Sequence, residues 1–456
     1  MASGSQQNVR RNNVIVFLTD QQRWDTSGLH GNPMDLTPNL DRAGRGGTHF
    51  ANSFTCQPLC TPARACLQTG LYPTNAGPWR NGITLPEDST TIAHHFGQAG
   101  YSTGYIGKWH LADVSSKGPV APAQRGGYDY WLAANALEHT SDAYHTVLYD
   151  GDGEPVTLPG YRVDALTDAA IRFIDEEKEN PFFLFLSFLE PHHQNRRDDY
   201  PAPEGYEERY RGPWTPPDLA TLGGTSHRQL PGYYGMIKRL DEAYGRLLDA
   251  LSSLGLRDDT IVLFTSDHGN HFKTRNSEYK RSVHEASIRV PTVATGGVFT
   301  GGGQIRQLVS HIDLPPTLLD AAGVPVPENM QGRSVVPLLT DRSADWPEEV
   351  FVQVSEAETA RAVRTGRWKY GVQAPDNPRT EPGAEEYVET YLFDLESDPY
   401  ELDNLIGLRS HAAVTETMRA RLLRRMKEAG EPEPRIQPAP ERASGQREIY
   451  AAEVQQ

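Results

Sequence analysis

Val14-Ile15-Val16-Phe17-Leu18-Thr19-Asp20-Gln21 decides how this chain is read. A short, unbroken apolar run is the pattern of a strand buried on both faces, because a half-exposed strand would alternate. The run stops at Thr19, Asp20 and Gln21, so polar side chains stand where the strand leaves the sheet. Pro181 to Leu189 and Ile261 to Phe264 repeat the pattern, ending at Glu190-Pro191-His192 and Ser266-Asp267-His268. In open α/β sheets, ligands bind beyond the carboxyl ends of the strands.

Helical patterns separate these strands. Between Arg162 and Glu179, Val163, Leu166, Ala170, Phe173 and Ile174 recur at helical spacing. From Tyr233 to Leu254, Ile237, Leu240, Tyr244, Leu247, Leu248 and Leu251 form one stripe, with Gly255 as its stop. Strands alternating with helices predict an α/β fold with a largely parallel sheet covered on both faces. Residues 111–160 and 193–232, rich in Gly, Pro, Tyr, Trp and charge, read as long surface excursions.

The pattern changes after Pro337-Leu338-Leu339. Val350 to Val354, Ala362-Val363-Arg364, Trp368-Lys369-Tyr370 and Thr390 to Leu395 read as short antiparallel strands, followed by a helix near 412–429 and a polar tail. These features divide the chain into 1–345 and a smaller α+β unit, 346–456.

A formal net charge of -16 repels phosphate backbones and argues against a nucleic-acid partner. Phe182 to Leu189, the longest apolar run, is interrupted by Ser187 and too short to cross a bilayer. Met1 to Asn13 lacks the apolar core of a signal peptide, which reads as cytoplasmic unless a leader was removed. Cys56, Cys60 and Cys66 are too few for a disulfide framework, and no further ligand sits at zinc-finger spacing.

Asp20, Gln21, Asp267 and His268 offer hard oxygen ligands and one imidazole, a set suited to a hard divalent cation such as Ca²⁺. Capping of strand ends is the ordinary use of Asp at such places. Arg64, Lys108 and Lys280 could stabilise charge on an oxyanion, and His110 and His192 could exchange protons near neutral pH.

Cys60 opens the run Cys60-Thr61-Pro62-Ala63-Arg64, followed by Leu67-Gln68-Thr69-Gly70. Around it, in order, stand Asp20-Gln21, Thr37-Pro38-Asn39-Leu40-Asp41, Gly107-Lys108-Trp109-His110 and Pro191-His192. Ser266-Asp267-His268-Gly269, Lys280, Glu285 to Pro291, Val363 to Lys369 and Tyr391 to Leu395 follow. From residue 14 to about 405 the chain resembles the formylglycine-dependent (type I) sulfatases of the alkaline-phosphatase-like superfamily.

The resemblance implies a mixed, largely parallel sheet sandwiched by helices, with a smaller C-terminal subdomain. It implies that a maturase oxidises Cys60 to Cα-formylglycine (3-oxoalanine), whose hydrate attacks a sulfate ester. Cys60 would join Asp20, Gln21, Asp267 and His268 around Ca²⁺, with Mg²⁺ or Mn²⁺ as substitutes. Arg64 would hold the hydrate, and Lys108 and Lys280 would contact sulfate oxygens. His192 would protonate the departing alcohol, and His110 would take the proton that lets sulfate leave.

Three departures are visible. Gln21 stands where many members have Asp, Ala63 replaces the commoner Ser, and His268 stands where others carry Asn. The Asp-Gln pair also occurs in phosphonate monoester hydrolases, which makes phosphonate or phosphate ester hydrolysis the second reading. An inactive sugar-binding relative is the third. His193, Arg196 and Arg275 supply donors suited to sugar hydroxyls or a carboxylate, and Trp131, Tyr144 and Trp214 could stack on sugar faces. These features favour an oligosaccharide or other saccharide sulfate over a small aryl sulfate.

Overall fold

The computed structural model describes residues 11–301, 303–376 and 379–454, so the segment Met1 to Arg10 lies outside the described residues. Its larger sheet contains β1 (Asn13–Thr19), β2 (Thr48–Phe54), β3 (Ser102–Lys108), β4 (Tyr130–Ala134) and β5 (Thr146–Tyr149). It continues with β6 (Pro155–Leu158), β7 (Phe182–Ser187), β8 (Thr260–Ser266), β9 (Val293–Thr295) and β10 (Gly303–Ser310). The spatial order is β10-β2-β9-β8-β1-β7-β3-β4-β5-β6. β1 pairs in parallel with both β7 and β8, and β3 pairs in parallel with β7 and β4. β9 is antiparallel to both of its neighbours, so β2 runs in the same direction as β8.

Every residue of β1, β7 and β8 is buried, which is why their sequences are continuously apolar. One face receives the Arg162–Glu177 helix through Val163, Leu166, Ala170, Phe173 and Ile174. The Ser226–Ser253 helix packs there too, through Leu240, Tyr244, Leu247 and Leu251. It begins before Tyr233 and contains Pro231 within its first turns. The opposite face is covered by a cluster that includes Phe96, Tyr105, Trp109, Trp131 and Leu318.

Residues 111–160 correct the reading of that stretch as a surface excursion. They supply β4, β5 and β6, which widen the main sheet. These strands have only four or five residues, too few for periodicity to show. The β5–β6 turn, Asp150-Gly151-Asp152-Gly153, carried the hairpin signal. Residues 193–232 likewise contribute Tyr200, Tyr210, Leu219 and Leu230 to a small core shared with Leu36, Tyr233 and Phe272.

β11 (Glu349–Val354), β12 (Ala360–Thr365), β13 (Trp368–Gln373) and β14 (Glu386–Asp394) form an antiparallel second sheet, backed by the Ala412–Glu428 helix. β15 (Arg435–Gln437), in the stretch read as a polar tail, adds in parallel to β14. Among the described residues, no helix is long and apolar enough to cross a membrane.

Two consequences can be measured. Gly107 holds φ at 109°, and a Cβ there would lie 1.9 Å from the Ser187 carbonyl oxygen. Gly107→Ala should therefore destabilise the fold by about 2 kcal/mol or more in denaturant titrations. Glu358 is buried beside β12, and Tyr391 donates its hydroxyl to Glu358 Oε2 at 2.9 Å. Burial pushes this carboxyl from 4.5 up to about 7. The native state therefore holds the proton across a window where the unfolded chain releases it. Glu358 should lower stability progressively as pH rises through that window, with the full penalty above it. Glu358→Gln should raise the melting temperature at pH 8 more than at pH 5.

Candidate active site

The parallel strands deliver their carboxyl ends to one edge. β1 leads into Asp20-Gln21, β8 into Asp267-His268, β3 ends at Lys108 ahead of His110, and β7 leads to His192. β2 leads to the Cys60–Thr69 helix, all ten residues of which are buried, and Gly70 ends it at φ 70°. Cys60 is its first residue, where the helix dipole favours an anion.

Cys60 Sγ lies 2.9 Å from Lys280 Nζ, 3.3 Å from His268 Nε2 and 3.8 Å from both Lys108 Nζ and Asp20 Oδ1. Burial alone would raise the thiol, but Lys108, Lys280 and His268 pull it well below its ordinary range. The Cys60 position thus favours negative charge.

Arg64, one turn along the same helix, ties the strand ends together. Its guanidinium donates to Asp20 Oδ2 at 3.0 Å, the Lys108 carbonyl at 2.8 Å and Ser187 Oγ at 2.7 Å. It also pairs with Asp267 Oδ2 at 3.2 Å. Lys108 Nζ reaches Asp20 Oδ2 at 2.8 Å and Glu138 Oε2 at 3.3 Å. Burial works against the charge of Lys108, yet Asp20, Cys60 and Glu138 outweigh it and raise the ammonium pKa.

The two aspartates differ. Asp20 is held well below the carboxylate range, its burial outweighed by Lys108, His192 and Lys280. Asp267 is pushed up to about 6 by burial and by the charge of Asp20. Its Oδ1 accepts from the Gln21 backbone N–H at 3.1 Å, and its Oδ2 makes no hydrogen bond among the described residues.

Ligand atoms of Asp20, Cys60, Asp267 and His268 lie within 4.8 Å of one another. His268 Nδ1 donates to the Gly269 carbonyl at 3.0 Å, which turns Nε2 toward the carboxylates of Asp20 and Asp267. Gln21, at φ 70°, accepts from Lys280 Nζ through Oε1 at 3.3 Å and donates through Nε2 to Tyr200 Oη at 3.1 Å. Carboxylate, amide and imidazole donors converging beside an under-bonded carboxylate fit a divalent cation.

His110, at φ 60°, is fixed by its backbone, which donates to Asn135 O at 2.7 Å and accepts from Thr61 Oγ1 at 2.9 Å. His192 is 5% exposed, and its Nδ1 contacts the His193 carbonyl at 2.6 Å. Burial and Lys280 lower its pKa.

The three residues read as substrate donors do not converge. His193 is half-buried, stacked between His192 and Tyr279 at 4.3 Å from each. Arg196 is exposed. Arg275 donates to the carbonyls of Tyr400 at 2.8 Å and Glu401 at 3.0 Å, a tie to the C-terminal unit. Trp131 is buried against Tyr105 and Trp109 and offers no sugar platform. Tyr144 is 56% exposed and meets Tyr161 edge-on. The residues that the sequence reading missed are Glu138, Ser187 and Tyr200. Only Ser187, which closes an apolar strand, carried a signal.

A buried thiol ringed by cations, beside a carboxylate–imidazole cluster at the carboxyl edge of a parallel sheet, fits a hydrolase of oxyanion esters. The comparisons name the family. The Sulfatase family model matches residues 12–324, and a model for the C-terminal part of N-sulphoglucosamine sulphohydrolase matches 277–428. An ulvan-active sulfatase of Formosa agariphila is 30% identical over 437 residues, covering 92% of this chain and 82% of that protein. An N-acetylglucosamine-6-O-sulfatase of Bacteroides thetaiotaomicron is 24% identical, covering 90% and 85%. The crystal structure of the yidJ protein of Bacteroides fragilis matches with a TM-score of 0.81 at 25% identity, covering 94% and 98%. The chain belongs to the sulfatase family and is a sulfuric ester hydrolase.

Asp267→Asn should weaken retention of a divalent metal at least tenfold, read by elemental analysis after dialysis. Added Ca²⁺ should raise the melting temperature of the wild type and leave that of the variant nearly unmoved.

Proposed function

We propose that this enzyme hydrolyses a sulfate ester of a saccharide through residues 1–345, with Cys60 as precursor of the nucleophile. The observation that carries this reading is Cys60 Sγ, held by Lys280 and Lys108 beside Asp20 at a buried helix start. Asp20, Gln21, Asp267 and His268, with the oxidised Cys60 position, would hold Ca²⁺, which supplies a fixed positive charge to the sulfate oxygens. The formylglycine produced by a maturase supplies, as its hydrate, a nucleophilic hydroxyl and a second hydroxyl for sulfate release.

The chain's own residues do the rest. Lys108 and Lys280 neutralise the charge spread over the sulfate. Arg64 keeps Asp20 and Asp267 aligned from behind and bears on the nucleophile mainly through them. His192 Nε2 faces the ester, because Nδ1 is committed to the His193 carbonyl. The negative charge of a bound sulfate offsets Lys280, so His192 can carry the proton that the departing alcohol needs. His110 stands at the start of the Cys60 helix, pinned by Thr61, and takes the proton that frees sulfate.

The saccharide preference draws on the sugar-specific activity printed for the Bacteroides thetaiotaomicron relative, and on His193, whose Nδ1 lies 3.5 Å from Gln21 Nε2. The second reading, phosphonate ester hydrolysis, rests on Gln21. Its neutral amide lowers the negative charge around the metal.

Two measurements test the reading. Conversion of the Cys60 thiol to the aldehyde lowers the mass of its peptide by about 18 Da. An unmodified peptide in an enzyme with undiminished activity would sink the nucleophile assignment. Matured enzyme should turn over an aryl sulfate at least about tenfold faster than the matching aryl phosphonate, a gap of about 1.4 kcal/mol in the barrier. A dominant phosphonate rate would overturn the choice of substrate class.

A further inference from the structure

Glu138 follows directly on neither a strand end nor a motif, yet it is 4% exposed and borders the site. Its Oε2 is buried and makes no hydrogen bond among the described residues. Its one charged contact in the site is Lys108 Nζ at 3.3 Å, the ammonium that also touches Asp20 at 2.8 Å and Cys60 Sγ at 3.8 Å. The carboxylate therefore stands one ammonium away from the nucleophile.

Its backbone is fixed as well. Gln194 Nε2 donates to the Glu138 carbonyl at 3.0 Å and to the Ser141 carbonyl at 3.1 Å. Gln194 lies two residues beyond His192, so Glu138 is tied to the loop carrying the histidine assigned to the leaving alcohol. Glu138 also lies within electrostatic reach of His110 and His192.

A carboxylate beside a sulfate site repels the sulfate oxygens, so it has no use on that side of the ester. On the alcohol side it can accept hydrogen bonds, and one Lys contact leaves most of its acceptor capacity free. A sugar sulfated on a ring carbon brings a donor to that place when the neighbouring ring carbon keeps its hydroxyl; a 6-O-sulfate, flanked by the carbon that bears the ring oxygen, brings none. The alcohol of a simple aryl sulfate brings none.

We propose that Glu138 determines specificity: its carboxylate accepts a hydrogen bond from a hydroxyl adjacent to the sulfate ester of the substrate. The inference rests on the saccharide reading above. A site built to bond a hydroxyl rejects the analogue that lacks it far more strongly than an apolar pocket rejects a changed methylene. Glu138 thus selects sulfated sugars that keep a free hydroxyl beside the ester.

The test uses matured, full-length enzyme and the 2-, 3- or 4-O-monosulfate of galactose, glucose or N-acetylglucosamine that the wild type turns over fastest; turnover of 6-O-sulfates alone overturns the proposal. Each hydroxyl adjacent to the ester is replaced by hydrogen in a matched deoxy analogue. The wild type should favour the hydroxylated sugar over one deoxy analogue by roughly 100-fold in kcat/KM. In Glu138→Leu that ratio should fall to about threefold or less. In Glu138→Gln, which keeps a neutral acceptor oxygen, it should lie between the two. Absolute rates should fall in both variants, because Lys108 loses its partner, so the ratio is the decisive readout.

A wild-type ratio near one overturns the proposal. So does a wild-type ratio that survives in the variants, which would make Glu138 only a counter-ion of Lys108. Should Glu138→Leu not fold, the ratio in Glu138→Gln decides alone, an unchanged value counting against. Turnover of 4-nitrophenyl sulfate with none of any sugar sulfate overturns the saccharide reading and this proposal together, and differs from sugar turnover without discrimination.

Discussion

One buried guanidinium sets the geometry of the site. Arg64 is 2% exposed and touches the ends of four strands: Asp20 after β1, Asp267 after β8, the Lys108 carbonyl of β3 and Ser187 of β7. One arm of its fork, Nη2, meets both carboxylates, and the other, Nη1, meets the Lys108 carbonyl and Ser187, a division that the single nitrogen of an ammonium cannot make. Without it, two neighbouring carboxylates would be buried with Lys108, the Gln21 backbone N–H and His268 as their nearest supports. Removing one partner from such a cluster is far costlier than never having built it, so the arrangement is held for function. Burial and the charge of Asp20 push Asp267 up to about 6 even with Arg64 in place.

A second buried ionic cluster explains why motifs of the C-terminal unit belong with those of the main sheet. Lys369, on β13, pairs with Glu285 at 3.0 Å and Glu401 at 2.5 Å, and Arg364, on β12, reaches Glu285 at 3.5 Å. Glu401 Oε2 accepts from the Glu285 backbone N–H. Glu285 opens the segment after Lys280, so the second sheet braces the loop that aims a cation at Cys60. Arg275 joins this bracing through the Tyr400 and Glu401 carbonyls. The small sheet adds no group to the reacting centre and acts through the rigidity of that loop.

What could be read from the sequence follows from length and burial. β1, β7 and β8 announced themselves because strands buried on both faces need continuous apolar runs, and their polar ends marked the site edge. Asp20, Gln21, Cys60, Arg64, Lys108, Asp267, His268 and Lys280 do meet within hydrogen-bonding or ion-pairing networks around one point. Short strands were illegible, since four or five residues hold no measurable period. Arg275 was misjudged because nearness in sequence says nothing of direction. Phe272 and Lys273 both take positive φ, 50° and 61°, and turn the chain before it reaches Arg275. Glu138 was invisible because its role comes from Gln194 and Lys108, both distant in sequence.

Those φ values belong to a pattern. Among the described residues, Gln21, His110, Asp198, Phe272, Lys273, Arg281, Glu356 and Glu401 are the non-glycine residues with positive φ. Gln21 and His110 are in the site, and Arg281 adjoins Lys280. Asp198 and Lys273 pair with each other at 2.9 Å, Glu356 receives Arg281 Nε at 2.8 Å, and Glu401 receives Lys369. Each such residue costs on the order of 1 kcal/mol and persists only where its surroundings over-determine it. Here the surroundings do. The Arg281 N–H donates to the Pro58 carbonyl and its side chain to Glu356, so the turn after Lys280 is anchored to the loop before Cys60 and to the β11–β12 connection. The strain and the buried charge therefore share one cause. A strand end must stop, reverse and present a polar side chain inward within two residues, and the fold spends its spare stability where that reversal aims a charged group at the nucleophile.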